Sequence, residues 1–242
     1  MADNGPRGIR ACGRDRALKI VLKIVVGTGS MLTDSEVNTV EHGRKTGRSA
    51  ADRRLFSVVL AAGRGVRFGS TKQLAPYRGT CLVARAVRLA ESVCGDRTVL
   101  VAGHEWQSVV AACRPLRGFF ANNTAHQAGM GTSIACGVSS VLEAADAVLL
   151  LLADQPLITT AHLKRMETAW MESPDAIVAT VFSGTMGPPV LFPRGDFGHV
   201  ASLRGDQGAR HVLARAGERV RGVAFEEAAV DIDVTEDLQG LQ

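Results

Sequence analysis

Long apolar runs are absent from this 242-residue sequence. A helix that crosses a bilayer needs about 18–20 consecutive apolar residues, so we expect that this protein does not span a membrane. The five cysteines are odd in number and include no C-x-x-C pair and no neighbouring histidine pair at zinc-finger spacing. We therefore expect no structural zinc, and a reduced, cytoplasmic compartment.

Most of the chain also lacks an excess of basic over acidic residues. The net charge of +4 comes from residues 1–54, which hold 11 Lys or Arg against 6 Asp or Glu, whereas residues 55–242 hold 17 against 18. The larger part thus lacks the positive charge that drives non-specific nucleic-acid binding, and we expect no nucleic-acid partner. Residues 1–54, rich in Gly, Ser, Thr, Asn and Arg, are predicted to be a disordered tail or a mis-assigned N-terminal extension.

From Leu55 onward, short apolar runs alternate with amphipathic stretches of helical period. The runs predict strands at residues 55–60, 98–102, 118–121, 147–153 and 176–181. The amphipathic stretches predict helices at residues 82–93, 105–113, 132–142 and 160–171. This alternation implies βαβ units without an internal repeat, so the predicted fold class is α/β, with one doubly wound, mostly parallel sheet over residues 55–242.

In such sheets, ligands bind outside the carboxyl ends of the strands, and glycines crowd the first of these ends. Three glycines allow tight turns that point backbone N–H groups into a concavity, and three basic side chains surround them: Gly63, Gly65 and Gly69, with Arg64, Arg67 and Lys72. The dinucleotide fingerprint fails because position 68 is Phe, and the P-loop pattern fails because Lys72 follows no glycine. A phosphate loop of a third kind and an ordinary Gly-rich turn both stay open.

Carboxylates follow two further strands. Asp154 comes directly after the apolar run at 147–153, where an unpaired buried carboxylate is costly and a Mg²⁺ ion that bridges phosphates is a natural partner. A loop cap is the alternative there. Asp231 and Asp233 precede a short helix, and one of them is a candidate second metal ligand. Helix capping is the alternative for both and is favoured for Asp233.

The histidines form no recognisable arrangement with cysteine, or with serine and aspartate, that would support nucleophilic catalysis. We expect four of them on loops or helix surfaces without a catalytic role: His104, His162, His199 and His211. Trp106 and Trp170 fall on helical patterns and are expected to pack.

Taken in order, six motifs resemble those of the MobA-like nucleotidyltransferases. They are L-A-A-G-R-G-V-R-F-G at 60–69 with Lys72, G-M-G-T-S at 129–133 with Gly137, D-Q-P at 154–156, G-P-P at 187–189, G-D-Q-G-A-R at 205–210, and D-I-D at 231–233 with Glu236 and Asp237. The resemblance covers residues 55–242 and favours the molybdenum cofactor cytidylyltransferase branch, because Ala62 stands where guanylyl members usually have a second glycine. The doubled proline at 188–189, where one is usual, is a departure at the acceptor end.

The resemblance implies a Rossmann-like nucleotidyltransferase fold and Mg²⁺-dependent transfer of CMP from CTP to a molybdopterin-type acceptor, with release of pyrophosphate. It implies that Arg67, Lys72 and Asp154 are catalytic and that Asp154, with Asp231 or Asp233, holds the metal. Implied nucleotide-binding residues are Leu60, Ala61, Ala62, Gly63, Gly65, Gly69, Gly131 and Ser133. Implied acceptor-binding residues are Gly205, Asp206, Gly208 and Arg210. A molybdoenzyme that receives the cofactor is the implied protein partner.

Three other functions stay open at this point. A transferase of the same fold would act on a sugar phosphate or another phosphorylated alcohol. An NAD(P)H-dependent oxidoreductase of a quinone-like or pigment substrate would use the glycine loop for a nicotinamide dinucleotide, although the dinucleotide fingerprint is absent and Asp154 is present. A non-catalytic chaperone would bind the cofactor and deliver it to an apo-enzyme.

Overall fold

The computed structural model of this chain describes residues 52–65 and 68–241. The predicted tail covers residues 1–54, of which only 52–54 are among the described residues. Arg67, which is predicted to be catalytic, also lies outside the described residues. The strands are β1 (Leu55–Ala61), β2 (Pro76–Tyr77), β3 (Thr80–Cys81), β4 (Thr98–Ala102), β5 (Phe119–Asn122), β6 (Ala147–Leu152), β7 (Ile177–Phe182), β8 (Thr185–Pro193) and β9 (Val220–Ala224). The helices are α1 (Leu82–Cys94), α2 (Trp106–Ala112), α3 (Met130–Ser139), α4 (Thr160–Glu172), α5 (Phe197–Ala201), α6 (Ala209–Ala216) and α7 (Thr235–Gln239).

Seven of the strands form one sheet in the order β5-β4-β1-β6-β8-β7-β9, while β2 and β3 form a separate hairpin. All neighbours in the large sheet pair in parallel except β8, which runs antiparallel to both β6 and β7. This confirms the predicted doubly wound, mostly parallel α/β fold. No helix in the described parts of the chain is long and apolar enough to span a membrane.

Helices cover the sheet on both faces. Side chains of β1 alternate between two cores: Val59 and Ala61 join one with α1, α2 and α4, and Val58 and Leu60 join the other with α3, α5 and α6. Strands that are covered in this way need apolar residues on both faces, which explains the unbroken apolar run of β6. Trp170 packs in the first core, as its helical pattern predicts.

The order in which the strands are added to the sheet reverses between β1 and β6, although the two strands are parallel. From β1 the chain moves outward to β4 and β5, and it then returns to the other side of β1 as β6. The loops after β1 and β6 therefore lead away in opposite directions and leave a crevice at the carboxyl ends of these strands, which is where doubly wound sheets bind ligands. Leu60 lies opposite Leu152 in the register, so both loops leave the sheet at the same level.

Strand β8 and helices α5 and α6 are absent from the sequence-based prediction. Prolines at 188, 189 and 193 hide the strand, because proline lacks an N–H donor and is normally excluded from a central position in a sheet. The sheet tolerates two of them through a register shift, in which Ala179 pairs with Val190 but Thr180 pairs with Gly187. Pro188 and Pro189 therefore lie in the interrupted part of the ladder, where no regular pairing is required.

His162 is buried in α4, and its predicted surface position is wrong. Arg165 donates to its Nδ1 over 3.2 Å, so Nε2 carries the proton and donates to the Thr180 hydroxyl at 2.9 Å. That hydroxyl in turn donates to the Pro189 carbonyl at 2.8 Å, and the Phe225 ring stacks on the imidazole. Burial, and then the Arg165 charge, lower the pKa of His162 to about 4.

Protonation of His162 should make the protein's stability fall in acid. An unfolded chain protonates this imidazole near its ordinary pKa of about 6.5, whereas the folded chain resists until about 4. The free energy of unfolding should therefore decrease as the pH falls from about 6.5 to about 4, by up to about 3 kcal/mol. Urea unfolding at several pH values gives the free energy of unfolding of wild type and of His162→Gln. The difference between the two proteins isolates the contribution of His162, because the other titrating groups are the same in both. The exposed His211→Gln is the control and should keep the wild-type slope; an unchanged slope in His162→Gln would contradict the assignment.

Candidate functional site

Lys72 lies between two carboxylates at the crevice between β1 and β6. Its Nζ atom donates to Asp154 Oδ2 at 2.7 Å and to Asp233 Oδ1 at 3.2 Å. The three side chains come from the glycine loop, the end of β6 and the C-terminal segment, up to 161 residues apart in sequence. The structure therefore brings together the lysine and two of the three aspartates that the sequence singled out.

The C-terminal segment is fixed against this crevice by its backbone and by an apolar anchor. The Ile232 N–H donates to the Asp154 carbonyl at 3.0 Å, and the Ile232 side chain is buried against Tyr77, Leu82 and Leu238. Because side chains alternate along an extended segment, burial of Ile232 turns Asp231 and Asp233 the other way. Their D-I-D spacing is thus explained by a buried residue between two polar ones.

Asp237, and not Asp233, caps the helix that follows. Its Oδ2 accepts the N–H of Asp233 at 2.7 Å and of Val234 at 2.9 Å, and these bonds lower the pKa of Asp237. The capping role favoured for Asp233 from the sequence is therefore wrong. The Asp233 carboxylate contacts Lys72 instead, and Asp237 fixes the backbone that holds it.

The charges in this cluster perturb one another. Burial alone would lower the pKa of Lys72, but the Asp154 and Asp233 carboxylates outweigh it and hold that pKa above its ordinary value. Burial, and then the Asp154 and Asp233 charges, raise the pKa of Asp231 to about 6, against the opposing effects of Lys72 and a hydrogen bond from Gln155. All three aspartates thus share one electrostatic environment around a single ammonium group.

The donor set fits a hard divalent cation. Asp154 Oδ1 is buried and has no hydrogen-bond partner within residues 52–65 and 68–241, which leaves one carboxylate oxygen available to a ligand. Across the same residues, no group of three or more His, Cys, Asp or Glu side chains is arranged to hold a metal by itself. Mg²⁺ typically needs only one or two protein carboxylates, because water and substrate phosphates complete its shell. Asp154 and Asp233 supply that number.

Gly65 shapes the loop that carries Lys72. Its φ of +58° favours glycine, and a Cβ there would lie 2.6 Å from the Ser70 carbonyl oxygen and 2.9 Å from the Lys72 nitrogen. The loop therefore folds back on itself, and the Gln73 side chain closes it by donating to the Gly63 carbonyl at 3.1 Å. Sequence reasoning missed Gln73, because a glutamine in a loop gives no signal before its partner is known.

The predicted nucleotide-binding residues of this loop differ in exposure. Leu60, Ala61 and Ala62 are buried, and the Leu60 carbonyl accepts the Ala153 N–H, so these residues support the loop from below. Gly63 and Gly69 are exposed, and Gly65 is half-buried. A ligand at the end of β1 therefore meets the glycines first, and the direct contacts predicted for Leu60, Ala61 and Ala62 stay predictions.

The start of α3 lies beside the loop predicted to bind the acceptor. The Gly131 N–H donates to the Gly205 carbonyl at 2.8 Å, which joins a predicted nucleotide-binding residue directly to a predicted acceptor-binding one. Ser133 is buried, and its hydroxyl accepts from the Asn123 side chain at 2.9 Å. Asn123, which was not singled out from the sequence, is nearly fully buried and fixes the first turn of α3.

The close approach at this point depends on Gly129. Its φ is +103°, and a Cβ there would lie 2.3 Å from both the carbonyl carbon and the oxygen of Gly205. We expect Gly129→Ala to lower the free energy of unfolding by about 2–4 kcal/mol, since it combines backbone strain with a steric clash. Gly184→Ala is the matched control, because Gly184 has a φ of +70° with no atom within 4 Å of its Cβ position. Urea unfolding should show a smaller loss, about 1 kcal/mol, for this control; equal losses would refute the clash.

The remaining acceptor-side residues follow from the same loop. Asp206 is exposed, and Gly208 precedes the first residue of α6. Arg210 is exposed on the first turn of α6, and its Nε lies 3.9 Å from the position that a Cβ of Gly187 would take. The G-P-P and G-D-Q-G-A-R motifs, whose first residues are 18 positions apart in sequence, therefore meet at one wall of the crevice.

Comparison with known proteins adds an independent line of argument. The chain is 29% identical over 180 residues to the purine catabolism protein PucB of Bacillus subtilis, covering 71% of this chain and 86% of PucB. It is 34% identical over 121 residues to the bifunctional protein GlmU of Geotalea uraniireducens, which covers 46% of this chain but only 25% of GlmU.

Among solved structures, Rv0371c from Mycobacterium tuberculosis superposes with a TM-score of 0.68 at 28% identity, covering 78% of this chain and 97% of that one. A second crystal structure of Rv0371c, a complex with manganese, superposes with a TM-score of 0.64 at 27% identity and covers the same shares of the two chains. The family model for the MobA-like NTP transferase domain matches residues 57–220, which contain the glycine loop, α3, Asp154 and the acceptor-side wall. The chain therefore belongs to the MobA-like NTP transferase family and is a nucleotidyltransferase.

Proposed function

We propose that this protein transfers CMP from CTP to a phosphorylated acceptor of the molybdopterin type, with Mg²⁺ as the metal and pyrophosphate as the second product. The observation that carries the proposal is the position of Lys72, held by Asp154 and Asp233 beside the exposed glycines of the nucleotide loop. A cation next to paired carboxylates and a glycine-rich loop is suited to a metal-bound triphosphate. A molybdoenzyme that receives the product is the partner that this proposal implies.

The chemistry needs charge neutralisation more than a base. The acceptor phosphate is already an anionic nucleophile at neutral pH, and its attack on the α-phosphorus brings two anions together. Mg²⁺ held by Asp154 and Asp233 would supply Lewis-acid stabilisation of the phosphate oxygens. Lys72 adds a second positive charge, and the N–H groups of the glycine loop orient the triphosphate.

The preference for cytosine rests on the resemblance at Ala62, which stands where guanylyl members usually carry a second glycine. Ala62 is 4% exposed, and its methyl group lies 3.0 Å from the position that a Cβ of Gly103 would take. That methyl group therefore packs toward Gly103, and the assays below decide the choice of base.

One matrix of assays tests the proposal. The purified chain is incubated with each of the four ribonucleoside triphosphates, Mg²⁺ or Mn²⁺, and either molybdopterin or a panel of sugar phosphates and phosphorylated alcohols. Release of pyrophosphate and the mass of the product are then measured. We expect turnover with CTP and molybdopterin and only background turnover in the other combinations.

The other outcomes distinguish the alternatives. Turnover with a sugar phosphate would assign the acceptor to a different class while keeping the transferase. Oxidation of NAD(P)H by a quinone without pyrophosphate release would favour the oxidoreductase. Tight molybdopterin binding without any pyrophosphate would favour the chaperone, and each of these results contradicts the proposed function.

A further inference from the structure

Gln155 follows the metal-site aspartate directly and is 6% exposed, which is unusual for a glutamine next to a ligand crevice. Its side-chain Nε2 donates to the Ala228 carbonyl at 2.9 Å and to the Pro188 carbonyl at 3.2 Å. One buried amide at the end of β6 therefore contacts two other segments of the chain, β8 and the stretch that leads to Asp231.

Each of these segments leads to a different part of the site. Pro188 belongs to β8 and follows Gly187, which lies beside Arg210 on the acceptor-side wall. Ala228 precedes the segment that carries Asp231 and Asp233. Gln155 itself is joined to Asp154 by the backbone, so its amide lies where the acceptor-side wall, the C-terminal carboxylates and the end of β6 meet.

The amide does not satisfy all of its own polar atoms. Gln155 Oε1 is buried and has no hydrogen-bond partner in the part of the chain that the structure describes. A buried acceptor without a partner costs free energy of unfolding, and this cost offsets part of what the two donated bonds contribute. Gln155 therefore contributes less to the free energy of unfolding than its burial suggests. Its two donated hydrogen bonds nevertheless fix the positions of Pro188 and Ala228 relative to the end of β6.

We propose that Gln155 is a positioning residue that sets the distance between the acceptor-side wall at Pro188 and the carboxylate cluster around Lys72. It contacts neither reacting group, and it acts through Pro188 and Ala228. This inference rests on the proposed function for the identity of the acceptor side, and on the hydrogen bonds alone for the coupling of the two segments.

Two variants separate positioning from bulk stability. Gln155→Met keeps the size of the side chain but removes both donated bonds, and Gln155→Glu replaces the donor with a carboxylate beside Asp154 and Asp231. The matched control is Gln107→Met on the exposed side of α2. The acceptor used is whichever compound gives pyrophosphate in the assay matrix above.

For Gln155→Met we expect the KM for the acceptor to rise about tenfold, with the KM for the nucleoside triphosphate within about twofold of wild type. Gln155→Glu should show a larger rise of the acceptor KM, because its charge is added next to two other carboxylates. A merely structural residue would change both KM values together, or lower only the fraction of folded enzyme, and either result would overturn the inference.

Hydrogen exchange provides a readout that does not depend on turnover. In Gln155→Met the backbone amides of residues 185–187, of Val190 and of residues 226–233 should exchange faster, while residues 98–102 in β4 and the whole of Gln107→Met should match wild type. If no acceptor supports the release of pyrophosphate, the proposed function fails. The exchange data alone then test whether Gln155 couples the two segments. Unchanged exchange in both segments would overturn it.

Discussion

Asp154→Asn should lower kcat about 10³-fold while the protein stays folded. The substitution keeps the shape of the side chain but removes the negative charge that pairs with Lys72 at 2.7 Å and the free carboxylate oxygen Oδ1. Loss of a single well-placed charge-stabilising group costs about 10²–10³ in rate, and loss of a metal ligand adds to this. Steady-state pyrophosphate release at saturating Mg²⁺ measures the effect.

The control for this variant is Asp175→Asn, an exposed aspartate before β7. It removes the same charge from the chain without touching the crevice, so its kcat should equal that of wild type. Circular dichroism and the thermal unfolding midpoint should show both variants folded. Wild-type kcat in Asp154→Asn at saturating Mg²⁺ would remove Asp154 from the site.

Lys72→Met should lower kcat/KM for the nucleoside triphosphate about 10²–10³-fold. The methionine fills much of the same buried space, but it removes the ammonium group that contacts both Asp154 and Asp233. Lys72→Arg should restore little of the activity, because a planar guanidinium differs in size and geometry from a compact ammonium in a site of low exposure. Initial rates over a range of triphosphate concentrations measure the loss.

For metal binding, we expect the Lys72→Met variant to gain affinity rather than lose it. In the wild-type protein Lys72 Nζ already lies at the two carboxylates, so a divalent cation must compete with it. Lys72→Met should therefore bind Mn²⁺ more tightly in the absence of nucleotide, as measured by titration calorimetry. Lys164→Met on the exposed side of α4 is the control, and weaker Mn²⁺ binding in Lys72→Met than in this control would contradict the arrangement.

The parallel part of the fold could be predicted because its signal is local. β1, β4 and β6 are apolar on both faces, and α1 and α4 repeat their apolar residues at helical spacing, so each element is recognisable from its own residues. Thr159 caps α4 through its hydroxyl, which accepts the His162 N–H. β8 could not be predicted in this way, because the register shift that accommodates Pro188 and Pro189 is a property of its pairing with β7.

The candidate site likewise has a part that can be predicted from the local sequence and a part that cannot. The residue types of the site can be read from the sequence, since glycines, a lysine and aspartates suit a metal-bound triphosphate. Their assembly depends on tertiary structure: Lys72 reaches Asp233 only because Ile232 is buried and hydrogen-bonded to the Asp154 backbone. Gln155, Asn123 and Gln73 were missed because an amide side chain gains a role only from the partners that it meets.

The sequence by itself thus determined the family of this protein, the parallel core of its sheet and the strand ends at which the candidate site lies. Only the tertiary structure decided that Asp237 caps α7, that His162 is buried, and that Lys72 is shared by two aspartates from distant segments. The physical reason is that backbone preference and hydrophobic period act over a few neighbouring residues. Hydrogen bonds and charge pairs instead depend on distances of about 3 Å between groups that approach only when the whole sheet is assembled.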